Sequence, residues 1–160
     1  MIEAAVEKWL QLVHGEVDDA DAFLDELLAE DVVLYSPVVF SAQEGKAITK
    51  LYLGAAGSVF GGDKPAGAAA GNGSKKSGSF VYLKKIFSGK QAMLEFETEM
   101  GGKYVNGVDM IQCNDEGKIV EFKVMIRPLQ AVNMVHAKMG EMLKAMQEGS
   151  TEGQGHGDTA

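Results

Sequence analysis

Gln91-Ala-Met-Leu-Glu-Phe-Glu-Thr-Glu-Met100, Gly101-Gly102 and Lys103-Tyr-Val-Asn-Gly-Val-Asp-Met-Ile-Gln-Cys113 form two alternating runs joined by a glycine pair. In the first run Ala92, Leu94, Phe96, Thr98 and Met100 fall on one face of a strand, and Glu95, Glu97 and Glu99 fall on the other. Gly101-Gly102 is a strong hairpin signal, because a tight primed turn needs positive φ at its centre. The second run places Val105, Gly107, Asp109, Ile111 and Cys113 on one face. The turn Asn114-Asp-Glu-Gly117 leads into another apolar run, Ile119 to Ile126. Upstream, Phe80 to Phe87 with the turn Ser88-Gly89 supplies a strand before the first run. Together these segments read as a four-stranded antiparallel meander.

Helical periodicity surrounds this meander. Val6, Trp9, Leu10 and Val13 mark a first helix that Gly15 ends. Asp18 reads as the cap of a second helix carrying Phe23, Leu24, Leu27 and Leu28. Asp31 breaks it, and Val32 to Tyr35 is a short β-type run stopped by Ser36-Pro37. Ser41 with Glu44 reads as a capping box for a third helix bearing Ile48, Leu51, Tyr52, Ala55 and Val59. Residues 61–78, rich in glycine and alanine, read as a flexible loop. Pro128 opens a last helix with Val132, Val135, Met139, Met142, Leu143 and Met146 on one stripe. The expectation is one α+β domain over residues 1–148, with a disordered polar tail over 149–160. Its curved antiparallel sheet packs on the N-terminal helices, and the C-terminal helix closes it.

The 160 residues carry a net charge of -8, with 46% hydrophobic and 24% charged residues, so one ordinary globular domain is expected. The acidic balance argues against nucleic acid and anionic membranes as partners. There is no apolar stretch of membrane-spanning length, and no basic segment followed by a hydrophobic one at the start. The lone Cys113 forms no internal disulfide and fits a reducing cytoplasm. One cysteine and the scattered His14, His136 and His156 give no metal site.

Against that background Asp109 stands out as the chemical clue. A carboxyl among apolar neighbours is costly to bury unless it is hydrogen-bonded or keeps its proton. Two readings stay open: a group that polarises a ligand, or a structural carboxyl bonded to a core tyrosine or tryptophan. Trp9 reads as a core anchor whose indole N–H needs a partner. Tyr52 either orients Asp109 or packs the third helix. Ser36 has no histidine nearby to activate it as a nucleophile. His14 reads as a helix cap, and His136 as a structural neighbour of the last helix's stripe. The glutamate row reads as the outer face of the sheet.

In this order of elements the chain resembles the nuclear transport factor 2-like superfamily, in particular its SnoaL-like and ketosteroid isomerase-like members. The resemblance spans roughly residues 2 to 130 apart from the glycine-rich insertion. It is carried by Val6-Glu-Lys-Trp-Leu10, Phe23-Leu with Leu27-Leu-Ala-Glu-Asp31, Tyr35-Ser-Pro-Val38, Gly45-Lys-Ala-Ile48 with Tyr52, and Val108-Asp-Met with Asp115-Glu-Gly-Lys-Ile119. It implies a cone-shaped α+β fold around a hydrophobic pocket. In the isomerases a tyrosine of the first helix and a protonated aspartic acid donate hydrogen bonds to an enolate oxygen, while a second aspartate before a proline moves the proton. Asp109 falls at the donor aspartic acid, Trp9 at that tyrosine, and Ser36 at the proton-moving aspartate. Tyr52 matches a cavity-facing tyrosine of the third helix. Ser36 supplies no carboxylate base, so the comparison argues against steroid-type isomerisation. The Asp-Arg-Asp set of related epoxide hydrolases has no match either, since the one arginine, Arg127, stands at a strand end.

The resulting expectation is a cytoplasmic protein that binds a hydrophobic small molecule in a pocket lined by Trp9, Leu34, Ser36, Tyr52, Phe122 and Val124. Asp109 serves as acid or hydrogen-bond donor, in cofactor-independent isomerase- or cyclase-type chemistry on a carbonyl compound. The alternative is a non-catalytic binding or interaction module. By the superfamily's habits a homodimer forms through the outer sheet face.

Overall fold

The computed structural model describes residues 1–60 and 80–151. The glycine-rich segment 61–78 lies outside the described residues, as does the tail beyond Thr151. In chain order the elements are α1 (Ile2–Val13), α2 (Ala20–Leu27), β1 (Leu28–Tyr35), β2 (Gln43–Glu44), α3 (Lys46–Phe60), β3 (Val81–Ser88), β4 (Gln91–Met100), β5 (Lys103–Cys113), β6 (Ile119–Arg127) and α4 (Leu129–Thr151). One six-stranded sheet has the order β2-β1-β6-β5-β4-β3. The meander β3 to β6 is antiparallel throughout. β1 joins its free edge parallel to β6, which makes the sheet mixed. A parallel neighbour needs a long crossover, and the chain from β2 through α3 and the meander provides it. Irregular registers in β3–β4, β5–β6 and β1–β6 bend this unclosed sheet into an α+β cone.

Several boundaries differ from those read in the sequence, each for a local reason. The cap of α2 is Asp19, one residue after Asp18. Its backbone is extended and its Oδ1 accepts the Ala22 N–H at 3.0 Å. β1 starts at Leu28 rather than Val32, because Leu28 pairs with Ile119 of β6 and is fully buried there. Tertiary pairing thus claims a residue that helical periodicity had placed on α2. No capping box forms at Ser41 and Glu44. Glu44 pairs with Val33 as part of β2, and α3 begins after Gly45. Gly45 has φ 106, and its N–H donates to Val32 O at 2.8 Å while its carbonyl accepts the Thr49 N–H at 3.2 Å. At the other end α4 continues to Thr151, into the segment read as tail.

The core has two parts. Ile2, Val6 and Trp9 of α1 and Leu24 and Leu27 of α2 bury against Leu94, Ile111, Ile119 and Phe122 of the sheet. The second part joins Ala55 of α3 and Ala131, Val135 and Met139 of α4 to Phe96, Met100 and Val105. Three half-buried side chains, Tyr52, Tyr82 and Val124, pack against both. They mark a seam across the middle of the sheet's inner face, and Asp109 lies opposite Val124 on it.

Candidate functional site

Strand alternation fixes where Asp109 points. β5 buries Val105, Gly107, Asp109, Ile111 and Cys113, and Asp109 stands between Leu94 of β4 and Val124 of β6. The residue is only 5% exposed. Its polar partner comes from beyond β4: Tyr82 Oη donates to Asp109 Oδ2 at 2.6 Å. Tyr82 Oη in turn accepts the Trp9 indole N–H at 2.9 Å. One hydrogen-bonded chain therefore runs from α1 through β3 to β5.

Aromatic packing holds the chain in place. The Trp9 ring meets Phe122 edge-on at 4.8 Å between centroids. Tyr82 stands edge-on to Phe80 at 5.0 Å and to Phe96 at 6.3 Å. Burial pushes the Asp109 carboxyl up to about 7, and the Tyr82 hydrogen bond pulls the other way. Burial, then the Asp109 charge and hydrogen bond, hold the Tyr82 phenol well above its ordinary value, while the Trp9 hydrogen bond opposes them. Near neutrality Asp109 is thus poised between neutral acid and carboxylate, and it can give or take a proton.

The residues singled out in the sequence are placed as follows. Trp9, Leu34 and Phe122 belong to one buried cluster, with Leu34 paired to Phe122 across β1 and β6. Val124 and Tyr52 sit at the seam. Among the described residues Tyr52 makes no hydrogen bond to Asp109, and Tyr82 takes that place. Ser36 follows β1, and its Oγ accepts the Val38 N–H at 3.3 Å, which commits it to the turn before α3. His14 is the C-cap of α1. His136 is exposed on α4 and lines a cleft of about 350 Å³ with Val132, Asn133 and residues 37–40. A second cleft, of about 440 Å³, lies on the outer sheet face around Ile86, Met93, Val108 and Met125. Neither cleft includes Asp109.

Sequence reading missed Tyr82. Its signal was the alternation of β3, which turns Tyr82 inward two residues after Phe80. It missed Asn106 as well, whose buried amide donates to Phe96 O at 2.9 Å and to Glu95 at 3.3 Å. Among the described residues no cluster of three or more histidine, cysteine or acidic side chains is arranged to hold a metal ion. No helix among them is long and apolar enough to cross a membrane.

No protein-family model matches the chain, and no curated protein does. Solved structures do. A steroid delta-isomerase from Pseudomonas aeruginosa is similar at a TM-score of 0.76 and 26% identity, over 92% of this chain and 94% of that one. An uncharacterised protein with a cystatin-like fold from Silicibacter pomeroyi is similar at 0.61 and 27% identity, over 84% of this chain and 78% of that one. SalBIII, an epoxide hydrolase/cyclase-like enzyme of pyran ring formation in the polyether salinomycin, shares the fold at 0.54 and 20% identity, over 79% and 90%. The architecture is that of the nuclear transport factor 2-like superfamily.

Proposed function

From the premise of a nuclear transport factor 2-like cone, we propose that this protein binds a hydrophobic carbonyl compound against the inner sheet face and acts on it without a cofactor. Asp109 is the acid or hydrogen-bond donor, and Trp9, Tyr52 and Val124 shape the apolar wall. The observation that carries the reading is a carboxyl buried on the inner sheet face, with Tyr82 Oη 2.6 Å from its Oδ2; burial pushes it up to about 7, which keeps a neutral acid available near physiological pH. The likeness to a steroid isomerase and to a cyclase-like enzyme supports it. In the same reading the protein is cytoplasmic and pairs with a second copy over the outer sheet face. Exposed Ile86, Met93 and Met125 form an apolar patch there.

A second reading, binding without catalysis, is favoured by Ser36. A serine held by the Val38 N–H stands where the isomerases place a carboxylate base. One experiment separates the two. Wild-type and Asp109→Asn protein are incubated with 1-tetralone in deuterated buffer, and NMR follows binding and deuterium uptake at the carbon beside the carbonyl. Binding with uptake that depends on Asp109 supports the enzyme. Binding without uptake supports the binding module. No binding at all removes both.

A further inference from the structure

We propose that Tyr82 is the positioning residue of Asp109: Trp9 makes its hydroxyl a one-way donor, which leaves Asp109 Oδ1 as the atom that meets the ligand. The inference rests on the function proposed above and adds the class of ligand group to it. An indole N–H donates and never accepts. With Trp9 Nε1 at 2.9 Å, the Tyr82 oxygen is already an acceptor, and its single proton points to Asp109 Oδ2 at 2.6 Å. The reverse arrangement, in which Asp109 donates to Tyr82, would aim two donors at one phenol oxygen. It would also leave the phenol's own proton with no acceptor among the described residues.

Neutral Asp109 therefore carries its proton on Oδ1. A group that meets this proton must offer a lone pair without competing for the donor role: a ketone, ester, ether or epoxide oxygen. An alcohol gains less, because its own proton finds an acceptor only once Asp109 ionises. The surroundings of Asp109 leave this polarity in place. β3 contributes the titratable Tyr82, and α3 brings Tyr52 to the same seam. α1 contributes Trp9, β4 Leu94 and β6 Val124.

The test is a carbon-13 NMR titration of the full chain labelled at the aspartate carboxyls, with Asp109 assigned through Asp109→Asn. A Tyr82 hydroxyl that donates stabilises the carboxylate, so Tyr82→Phe is expected to raise the Asp109 midpoint by roughly one unit. Trp9→Phe raises it by less, because the indole strengthens the Tyr82 donor. A lowered midpoint in Tyr82→Phe would mean that Asp109 donates to Tyr82, and would overturn the proposal. An unmoved midpoint overturns it too. An unmoved midpoint in Trp9→Phe overturns the part given to Trp9. Replacing the four tyrosines with 3-fluorotyrosine, a stronger O–H donor, keeps the test alive if Tyr82→Phe does not fold. A downward shift is expected, and no shift or an upward one overturns the proposal. For the ligand class the probes are 1-tetralone and 1-tetralol. Below the midpoint the ketone is expected to bind about tenfold better than the alcohol, a factor typical of one hydrogen bond. Equal affinities overturn the selectivity. If neither compound binds while the titration shifts hold, the function proposed above fails and the Tyr82 assignment stands.

Discussion

Tyr82 Oη reaches across β4 to Asp109 Oδ2, 2.6 Å away, and this hydrogen bond offsets only part of what burial does to the carboxyl. Asp109 rises to about 7 in the folded chain from an ordinary value of 3.8. The folded state therefore holds a proton that the unfolded chain releases between those two values. The contribution of Asp109 to stability is full below about pH 4 and is lost as pH rises through 7. The loss at pH 8 is on the order of 4 kcal/mol at most, at about 1.4 kcal/mol per unit. Asp109→Asn keeps an acceptor for Tyr82 and carries no charge, so it is expected to be more stable than wild type at pH 8 and close to it at pH 4. Urea unfolding at the two pH values checks this. A difference between wild type and Asp109→Asn that is the same at both pH values would show that Asp109 ionises freely.

Much of this arrangement was legible in the chain. Period-two alternation put Asp109, Leu94 and Phe96 on the inner face, and the Gly101-Gly102 and Asn114–Gly117 turns set the meander, because both signals are local. The pairing of β1 with β6 was not, since nothing local distinguishes a parallel edge partner from an antiparallel one. Leu28 shows the same limit: its apolar character suits α2 and β1 equally, and contact with Ile119 decides. At the site, burial of Asp109 followed from its neighbours. Its partner Tyr82 lies 27 residues away, a separation that no spacing rule spans.

Gly107 is a glycine for reasons of space. It sits opposite Phe96 on β4 and Ile126 on β6. A Cβ there would meet the Met125 carbonyl oxygen at 2.7 Å and the Phe96 ring closer still. The ring is held in the core against Phe60, Phe80 and Tyr82, and the carbonyl belongs to the sheet backbone. Gly107→Ala is expected to cost roughly 1–3 kcal/mol. Adding Phe96→Leu should not restore stability, because the carbonyl clash remains. Thermal unfolding of both variants decides, and an unchanged Tm in Gly107→Ala would refute the steric account.

Asp19, not Asp18, starts α2, because its Oδ1 receives the Ala22 N–H. Asp19→Ala should cost about 1 kcal/mol, while Asp18→Ala should change little. Both are exposed acids one residue apart, so the pair controls for charge. Equal effects in chemical denaturation would mean that charge near the helix start matters and the cap does not.

The outer sheet face carries the last prediction. Ile86, Met93 and Met125 come from three different strands and are 52%, 43% and 53% exposed. Side by side around one cleft, they leave apolar surface in water that pairing with a second copy would remove. The wild-type chain is expected to be a dimer by light scattering at micromolar concentration. Met125→Glu sets a carboxylate in the middle of that apolar patch, which closure would have to strip of water, and the variant should run as a monomer. Asp109 lies on the opposite face, so its titration should be the same in both forms. A monomeric wild type removes the dimer. A dimer that persists in Met125→Glu moves the interface elsewhere on the molecule.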